Sequence, residues 1–360
     1  MKLRILDIYI IKKFLGTFFY AISLLIVIVI IFDISENIDE FLDQDAPLME
    51  IIFDYYLNFI PYFINLFVYL FTFISVIFFT SKMASNTEIV AMLSGGVSYY
   101  RMLRPYFISA IFLALMSFYL GNFLIPKTNI KRREFKDKYM ENLDQEKERN
   151  IHLKIGEQTY VYLENFNSST NTGIKFSLEQ FDGNKMIYKM QGDRISWDSV
   201  NNQWNINNYV IREIDDVAES MQRGNQLDTL FNLKPDDLYE KKEDFEEMNY
   251  WELRERIKEE RLKGSVKAKE YDVERHKRIA GPFATIILTL IGVTLSSRKM
   301  RGGIGMHLGL GIGLTFTYIL FMQVSMVFAT FGDLSPFLAA WIPNLIFAAI
   351  GIVLLFTAQK

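Results

Sequence analysis

Apolar residues in this chain are gathered into long blocks rather than spread at helical or strand spacing. Segments 14–32, 55–81, 105–126, 279–297, 302–332 and 334–359 contain no Asp, Glu, Lys or Arg. Each is close to or above the roughly 20 residues a helix needs to cross a bilayer core. A water-facing helix needs a polar face, and these blocks have none. The pattern therefore predicts six membrane helices in two groups of three. Between the groups, 127–276 is hydrophilic, and its middle reads as β structure. Tyr160, Val161, Tyr162 and Leu163 form one short run, with 174–181, 194–197 and 204–214 as further runs. These runs are rich in β-branched and aromatic residues, and Ile174, Phe176 and Leu178 alternate with polar neighbours. Asn, Gly, Asp and Ser clusters separate them, at 167–173 and 182–184. Helical signal is confined to the edges, at 131–149 and at 250–263 before Gly264. A β-sandwich, a jelly roll and an open curved sheet all fit the β region. The domains expected are 1–126, 127–276 and 277–360.

Composition adds less than distribution does. The 360 residues are 50% hydrophobic and 22% charged. The mean hydropathy of +0.12 resembles that of a soluble protein. That value averages six apolar spans with one charged insert. A net charge of -3 gives no sign of nucleic-acid binding. The first span is basic at its start but too long for a signal core, and no small-x-small site follows it, so it is read as a retained helix. Charge also predicts orientation. Lys2, Arg4, Lys12, Lys13, Lys82, Arg101, Arg104, Arg298, Lys299, Arg301 and Lys360 fall on one side of the six spans. The short loops on the other side, 33–50 and residue 333, carry acids and no cation. The positive-inside rule then puts both termini in the cytoplasm and the insert on the far side. The absence of cysteine is compatible with an oxidising compartment there.

Candidate chemistry is sparse. The sequence contains no GxxxxGK[ST], HExxH or GxSxG motif and no cysteine nucleophile. His152, His276 and His307 share no metal-ligand spacing. No span carries a charge near its middle, where ion-coupled transporters place one. Any work the chain does thus draws on a partner's energy. Between spans two and three, Ser85 and Glu88 have capping-box spacing, and Ile89, Met92 and Leu93 share a face. Gly95 and Gly96 close this short helix. It is either a docking helix for a soluble partner or an interfacial helix. In span five, Gly305, Gly309 and Gly313 form two small-xxx-small spacings, either a mobile seam or ordinary packing. Aromatics crowd span two, and Phe67, Phe71 and Phe316 are acyl-chain candidates. Lys127, Lys131, Arg132, Arg133 and Lys136 follow span three, and Lys277 and Arg278 precede span four. These cations suit phosphate groups by charge-assisted hydrogen bonds, and they equally suit a solvated helix face.

Four segments carry a family resemblance across essentially the whole chain. They are Leu6-Asp7-Ile8-Tyr9-Ile10, the stretch from Asn86-Thr87-Glu88 to Gly95, His276-Lys277-Arg278-Ile279-Ala280-Gly281-Pro282-Phe283, and Ser296-Ser297-Arg298-Lys299-Met300-Arg301-Gly302-Gly303. With the 3+3 arrangement, the chain resembles the lipopolysaccharide-export permeases of the LptF/LptG group, and more the LptG member. The resemblance implies a β-jellyroll-like periplasmic insert and a Gram-negative inner-membrane location. It implies pairing with a paralogous permease subunit, a cytosolic ATPase dimer holding ATP and Mg, and a single-span periplasmic bridge subunit. No cofactor or metal is expected on the chain itself. Ser85, Asn86, Thr87, Glu88, Ile89, Met92 and Gly95 then correspond to the ATPase-coupling helix. The substrate implied is lipopolysaccharide, taken from the outer leaflet of the inner membrane. One departure stands out. LptG-type permeases are expected to place cations near the end of span one, where this chain reads Asp33-Ile34-Ser35-Glu36-Asn37-Ile38-Asp39-Glu40. The cluster after span three takes that role, or the lipid differs in its phosphates, or divalent cations bridge acid to phosphate. A membrane scaffold or receptor whose insert binds a protein is the alternative function, and an ion-driven lipid transporter is the weaker third.

Overall fold

The computed structural model describes residues 4–140, 148–156, 158–167, 170–183, 185–199, 201–215, 219–231, 233–235, 238, 244–262, 265, 267–297 and 303–357. Lys2, Arg298, Lys299, Arg301, Lys360 and most of the last family segment lie outside these residues. Two compact units emerge. One comprises Met1–Met140, Phe245–Arg254 and Lys269–Lys360; the other comprises Glu141–Asp244 and Glu255–Ala268. The expected edges at 126/127 and 276/277 fall inside continuous helices.

The first unit holds all six helices long and apolar enough to cross a membrane. Span one is α1 (Ile5–Asp43). A short α2 (Leu48–Glu50) leads through a π-helical stretch, Ile51–Tyr56, into α3 (Leu57–Ser85), which is span two. A short α4 (Glu88–Ser94) joins it to α5 (Tyr99–Tyr119). A second π-helical stretch, Leu120–Leu124, continues α5 into α6 (Ile125–Tyr139), completing span three. After the insert come α7 (Asp244–Glu247), α8 (Tyr250–Leu262), α9 (Lys267–Ser296), α10 (Gly303–Phe331) and α11 (Pro336–Thr357). Wide π turns loosen the backbone ladder, and such turns gather at functional sites. Here asparagine side chains repair the ladder. Asn58 Nδ2 donates to the carbonyls of Phe53 and Asp54, each at 2.9 Å, and Asn122 Nδ2 donates to Phe118 at 2.9 Å. In lipid these bonds replace water that is not there.

α3 is the centre of the bundle. Its Phe73, Val76 and Ile77 are fully buried. Glycines on its neighbours make room for it. A Cβ at Gly292 of α9 would meet Val76 at 3.0 Å and Phe73 at 3.1 Å. A Cβ at Gly311 of α10 would collide with Ile77, and one at Gly281 of α9 with Tyr69. Polar side chains tie the remaining helices. Ser117 donates to Asn65 at 2.6 Å, while Asn344 of α11 accepts from Tyr318 of α10 and donates to the Ala280 carbonyl of α9, both at 2.9 Å.

The second unit is one antiparallel sheet in sequential order, β1 (Glu148–Gly156), β2 (Thr159–Asn167), β3 (Thr172–Asp182), β4 (Lys185–Asp198), β5 (Gln203–Ile214) and β6 (Glu219–Thr229). It curls over an apolar core that includes Leu163, Phe166, Phe176, Ile195 and Trp204. The expected jellyroll-like insert is therefore a single curved meander. The predicted helix over 131–149 ends at Tyr139, and Arg149 already belongs to β1.

The simple alternation predicted for 174–178 also fails. Ile174 is 48% exposed, and Gly173 takes the inward place. The cause is a crease across the sheet. The facing residues Asn150, Glu164, Lys175, Asp193, Asn208 and Asn225 form one row in which the ladder pairing lapses between every pair of neighbouring strands. Asn150, Lys175 and Asn208, on alternate strands, have φ of 57°, 52° and 53°. Side chains bridge the row, Lys175 to Glu164 by an ion pair and Asn208 Nδ2 to Asp193 at 3.0 Å. Residues three apart, such as Leu163 and Phe166, are consequently both buried, although a flat strand would point them to opposite faces. The crease thus bends the sheet while keeping one apolar interior. Asn208→Val, a β-branched residue at positive φ, is expected to destabilise the fold by about 1–2 kcal/mol. Asn208→Gly should stay within about 0.5 kcal/mol of the parent. Urea unfolding followed by tryptophan fluorescence checks this; equal losses in both variants would contradict the crease.

Candidate functional site

The helix between spans two and three is the most elaborated polar region of the membrane unit. α3 runs to Ser85, so Ser85 is not the cap that its spacing to Glu88 suggested. The N-cap of α4 is Thr87, at φ 62°, a conformation that β-branched residues rarely adopt. Its hydroxyl donates to the Asn86 carbonyl at 2.6 Å and so cannot cap the helix. The joint is a tight elbow made by Asn86 and Thr87. Glu88 opens α4, where the helix dipole favours an acid. Its carboxylate accepts from the Tyr9 hydroxyl at 2.9 Å and from Asn86 Nδ2 at 3.4 Å. Ile89 is 2% exposed and packs with Ile10, Phe14, Met83 and Tyr99, and Met92 packs partly buried beside them. The helix closes at Gly95 and Gly96, the latter at φ 82°, with its N–H bonded to the Leu93 carbonyl at 3.0 Å. Val90, Ala91, Leu93 and Ser94 form the exposed face.

Further polar contacts surround the elbow, and the sequence gave no warning of their pairing. Asp7 is 1% exposed and accepts both arms of Arg101, at 2.6 and 2.7 Å, together with the Arg4 backbone N–H at 2.9 Å. This joins the first turn of α1 to the first turn of α5. Ser81 Oγ lies 2.8 Å from Nδ1 of His307, linking α3 to α10. Tyr99 and Ser297 hydroxyls, 3.2 Å apart, link α5 to α9. The first family segment, Leu6 to Ile10, thus supplies Asp7 and Tyr9 to two of these contacts. The capping-box interval from Arg4 to Asp7 was the one local sign that Asp7 is buried.

The phosphate candidates divide by their surroundings. Lys127 and Lys131 are exposed on α6 and have no ionic partner among the described residues, and Lys136 is half-buried. Arg132 is 8% exposed with its guanidinium 5.6 Å from the Tyr62 ring centre. Arg133 pairs with Glu247. Arg278 bonds Glu274 at 3.0 Å and donates to the Phe245 and Met248 carbonyls at 2.6 and 2.7 Å. Lys277 also bonds Glu274, at 3.0 Å, from the surface. Arg133 and Arg278 therefore fasten the 245–248 segment to α6 and α9, while Lys127 and Lys131 face outward. The acidic end of span one is engaged too, since Asp33 accepts from Tyr56 at 2.9 Å and Tyr55 at 3.3 Å.

Apolar candidates lie on two helices. Phe67 and Phe71 are half-buried and extend a ladder along α3, in which Phe59–Phe63, Phe63–Phe67 and Phe67–Phe71 have ring centres 4.2, 6.4 and 6.4 Å apart. On α10, a Cβ at Gly305, Gly309 or Gly313 would meet no atom within 4 Å among the described residues. Phe316, 53% exposed, continues the same face. The chain's own close packing uses Gly311, on another side of that helix.

Six long apolar helices with a β domain inserted after the third, and a short helix presented at the elbow of spans two and three, define a multi-pass membrane subunit with an inserted domain. Residues 8–356 match the family described as lipopolysaccharide export system permease LptF/LptG, and the chain belongs to that family. A comparison with curated proteins found no match. Family membership gives the chain a permease role in lipopolysaccharide export and a place in the inner membrane.

The Asp7–Arg101 bridge yields a stability test. Arg101→Gln leaves a buried carboxylate without its cation and should cost about 2 kcal/mol, less than a fully buried pair because Arg101 is partly solvated. Asp7→Asn combined with Arg101→Gln should cost clearly less than the sum of the single changes. Thermal unfolding of the detergent-solubilised chain measures both, and strict additivity would count against the bridge.

Proposed function

We propose that this chain is one half of the membrane part of an ATP-driven lipopolysaccharide exporter, of the LptG kind. The observation that carries the reading is the family match over 8–356 together with the exposed face of α4. Hydrolysis belongs to a separate cytosolic ATPase dimer, which holds ATP and Mg; this sequence has no phosphate loop of its own. α4 docks in that ATPase with Val90, Leu93 and Glu88 at the contact. This places α4 and both termini in the cytoplasm and the β domain in the periplasm, as the distribution of cations supports.

The second half is a paralogous permease subunit. Support comes from the unpartnered glycine face of α10, which admits a close helix neighbour from another chain. Lipopolysaccharide enters between the halves, with acyl chains against apolar surface that includes Phe67, Phe71 and Phe316. Lys127 and Lys131 are the cations left to meet its phosphates. The lipid passes from there to the β domain and a single-span bridge subunit.

Two variants test this reading. Glu88→Ala should lower ATPase activity coupled to lipid release about tenfold or more, the scale of a lost charge-assisted contact. Full activity in that variant would remove α4 from the coupling role. Gly309→Leu should leave the chain's own unfolding temperature unchanged and abolish co-purification of the second permease. Gly311→Leu should instead destabilise the chain itself, by steric conflict with Ile77.

A further inference from the structure

The elbow between α3 and α4 is tied to two other spans by bonds of opposite character. The tie to α1 is the Tyr9–Glu88 hydrogen bond, which is exposed to solvent. A solvent-facing bond exchanges readily with water or with a competing cation, so it holds weakly. The tie to α10 is Ser81–His307, and it is buried. His307 is 2% exposed, and its Nε2 has no hydrogen-bond partner among the described residues. Ser81 is thus the polar contact that this imidazole keeps inside the protein. Breaking it would leave a buried ring with neither nitrogen satisfied, a cost that water cannot offset there. Ser81 sits one helical turn before Ser85, and the joint that follows is fixed by the left-handed Thr87. The elbow and the start of α10 therefore form one stiff piece. α1 is held elsewhere, to α5, by the bidentate Asp7–Arg101 bridge.

From this asymmetry we propose that Tyr9, Ser81 and His307 are positioning residues that set which spans move with α4. A cationic side chain of the ATPase arriving at Glu88 displaces the Tyr9 hydroxyl. This frees the elbow from α1. The elbow then carries α10 with it through Ser81–His307, while α1 stays on α5. The two helices separated in this way, α1 and α10, both have open faces, exposing Tyr20, Val27 and Phe32 on one and Leu320 and Phe328 on the other. A relative shift between them changes a lipid-facing gap without any charged group crossing the membrane. The inference rests on the exporter reading for the identity of the docking partner. The ties themselves do not depend on it.

The test uses the complex purified with its ATPase. The chain has no cysteine, so Ile5→Cys on α1 and Met306→Cys on α10 introduce a clean pair of spin-label sites, both exposed. The parent distance distribution should shift when nucleotide is added. Tyr9→Phe should show part of that shift without nucleotide, and should release about two- to tenfold less lipid per ATP, the scale of one lost hydrogen bond. Ser81→Ala should keep the ATPase bound but lose the nucleotide-driven shift, and Ser81→Thr, which restores a hydroxyl, should recover it. Parent-like distances and coupling in both Tyr9→Phe and Ser81→Ala would overturn the proposal. Tyr9→Phe alters one solvent-facing hydroxyl, so its result stands even where Ser81→Ala fails to fold. If the parent chain brings down no ATPase, the exporter reading fails instead, and the label pair in the chain alone still reports the ties: Tyr9→Phe should then broaden the distance distribution, and an unchanged one overturns the proposal.

Discussion

The membrane unit depends on how closely other helices can approach α3. Phe73, Val76 and Ile77 give this helix a bulky ridge, fully buried. Glycines on α9 and α10 receive that ridge. Without water or charge to hold helices together, such fitted packing and a few internal hydrogen bonds carry the association. The two groups of three spans are joined at this seam. Because α3 ends directly in the elbow, the packing also determines where α4 stands. The site at one end of the bundle and the core along its length are one mechanical object.

Around that object, polar bonds are graded by exposure. Asp7–Arg101 and Ser81–His307 lie at buried positions, where breaking them leaves groups unsatisfied. Tyr9–Glu88 is open to solvent and to a partner. Burial makes the first two structural and exposure makes the third exchangeable, so the same kind of bond serves two purposes. The cations beyond span three are sorted by the same principle. Arg133 and Arg278 are occupied by Glu247, Glu274 and backbone carbonyls, whereas Lys127 and Lys131 look outward. In a permease of this family the outward pair is the one placed to meet an anionic lipid.

Much of this was legible in the sequence. Charge-free blocks show membrane helices directly, since lipid excludes charge and demands helical backbone. The six spans and the inserted β domain follow from that alone. The coupling segment was visible through Glu88, Ile89 and the Gly95-Gly96 stop. Its cap was misplaced because Ser85 and Glu88 have capping spacing while α3 continues through Ser85, a continuation set by packing rather than by local preference. β6, with its run Glu219–Thr229, went unseen because an edge strand rich in polar residues carries no alternating apolar signal. The crease was invisible for a related reason. A lapse in pairing repeated on six strands is a property of neighbours, and single-strand alternation through Ile174 points the wrong way. Tyr9, Asp7, Arg101 and the Ser81–His307 pair join residues far apart in sequence, so no local spacing shows them.

The central claim is that this chain is a lipid-handling membrane subunit driven by a motor on another chain. Native mass spectrometry of the complex purified through this chain from its own membrane tests it most directly. The expected spectrum contains an ATPase dimer, a second permease of the same family and bound lipopolysaccharide. A spectrum of this chain with neither an ATPase nor a second permease, and with only bulk phospholipid, would contradict the claim.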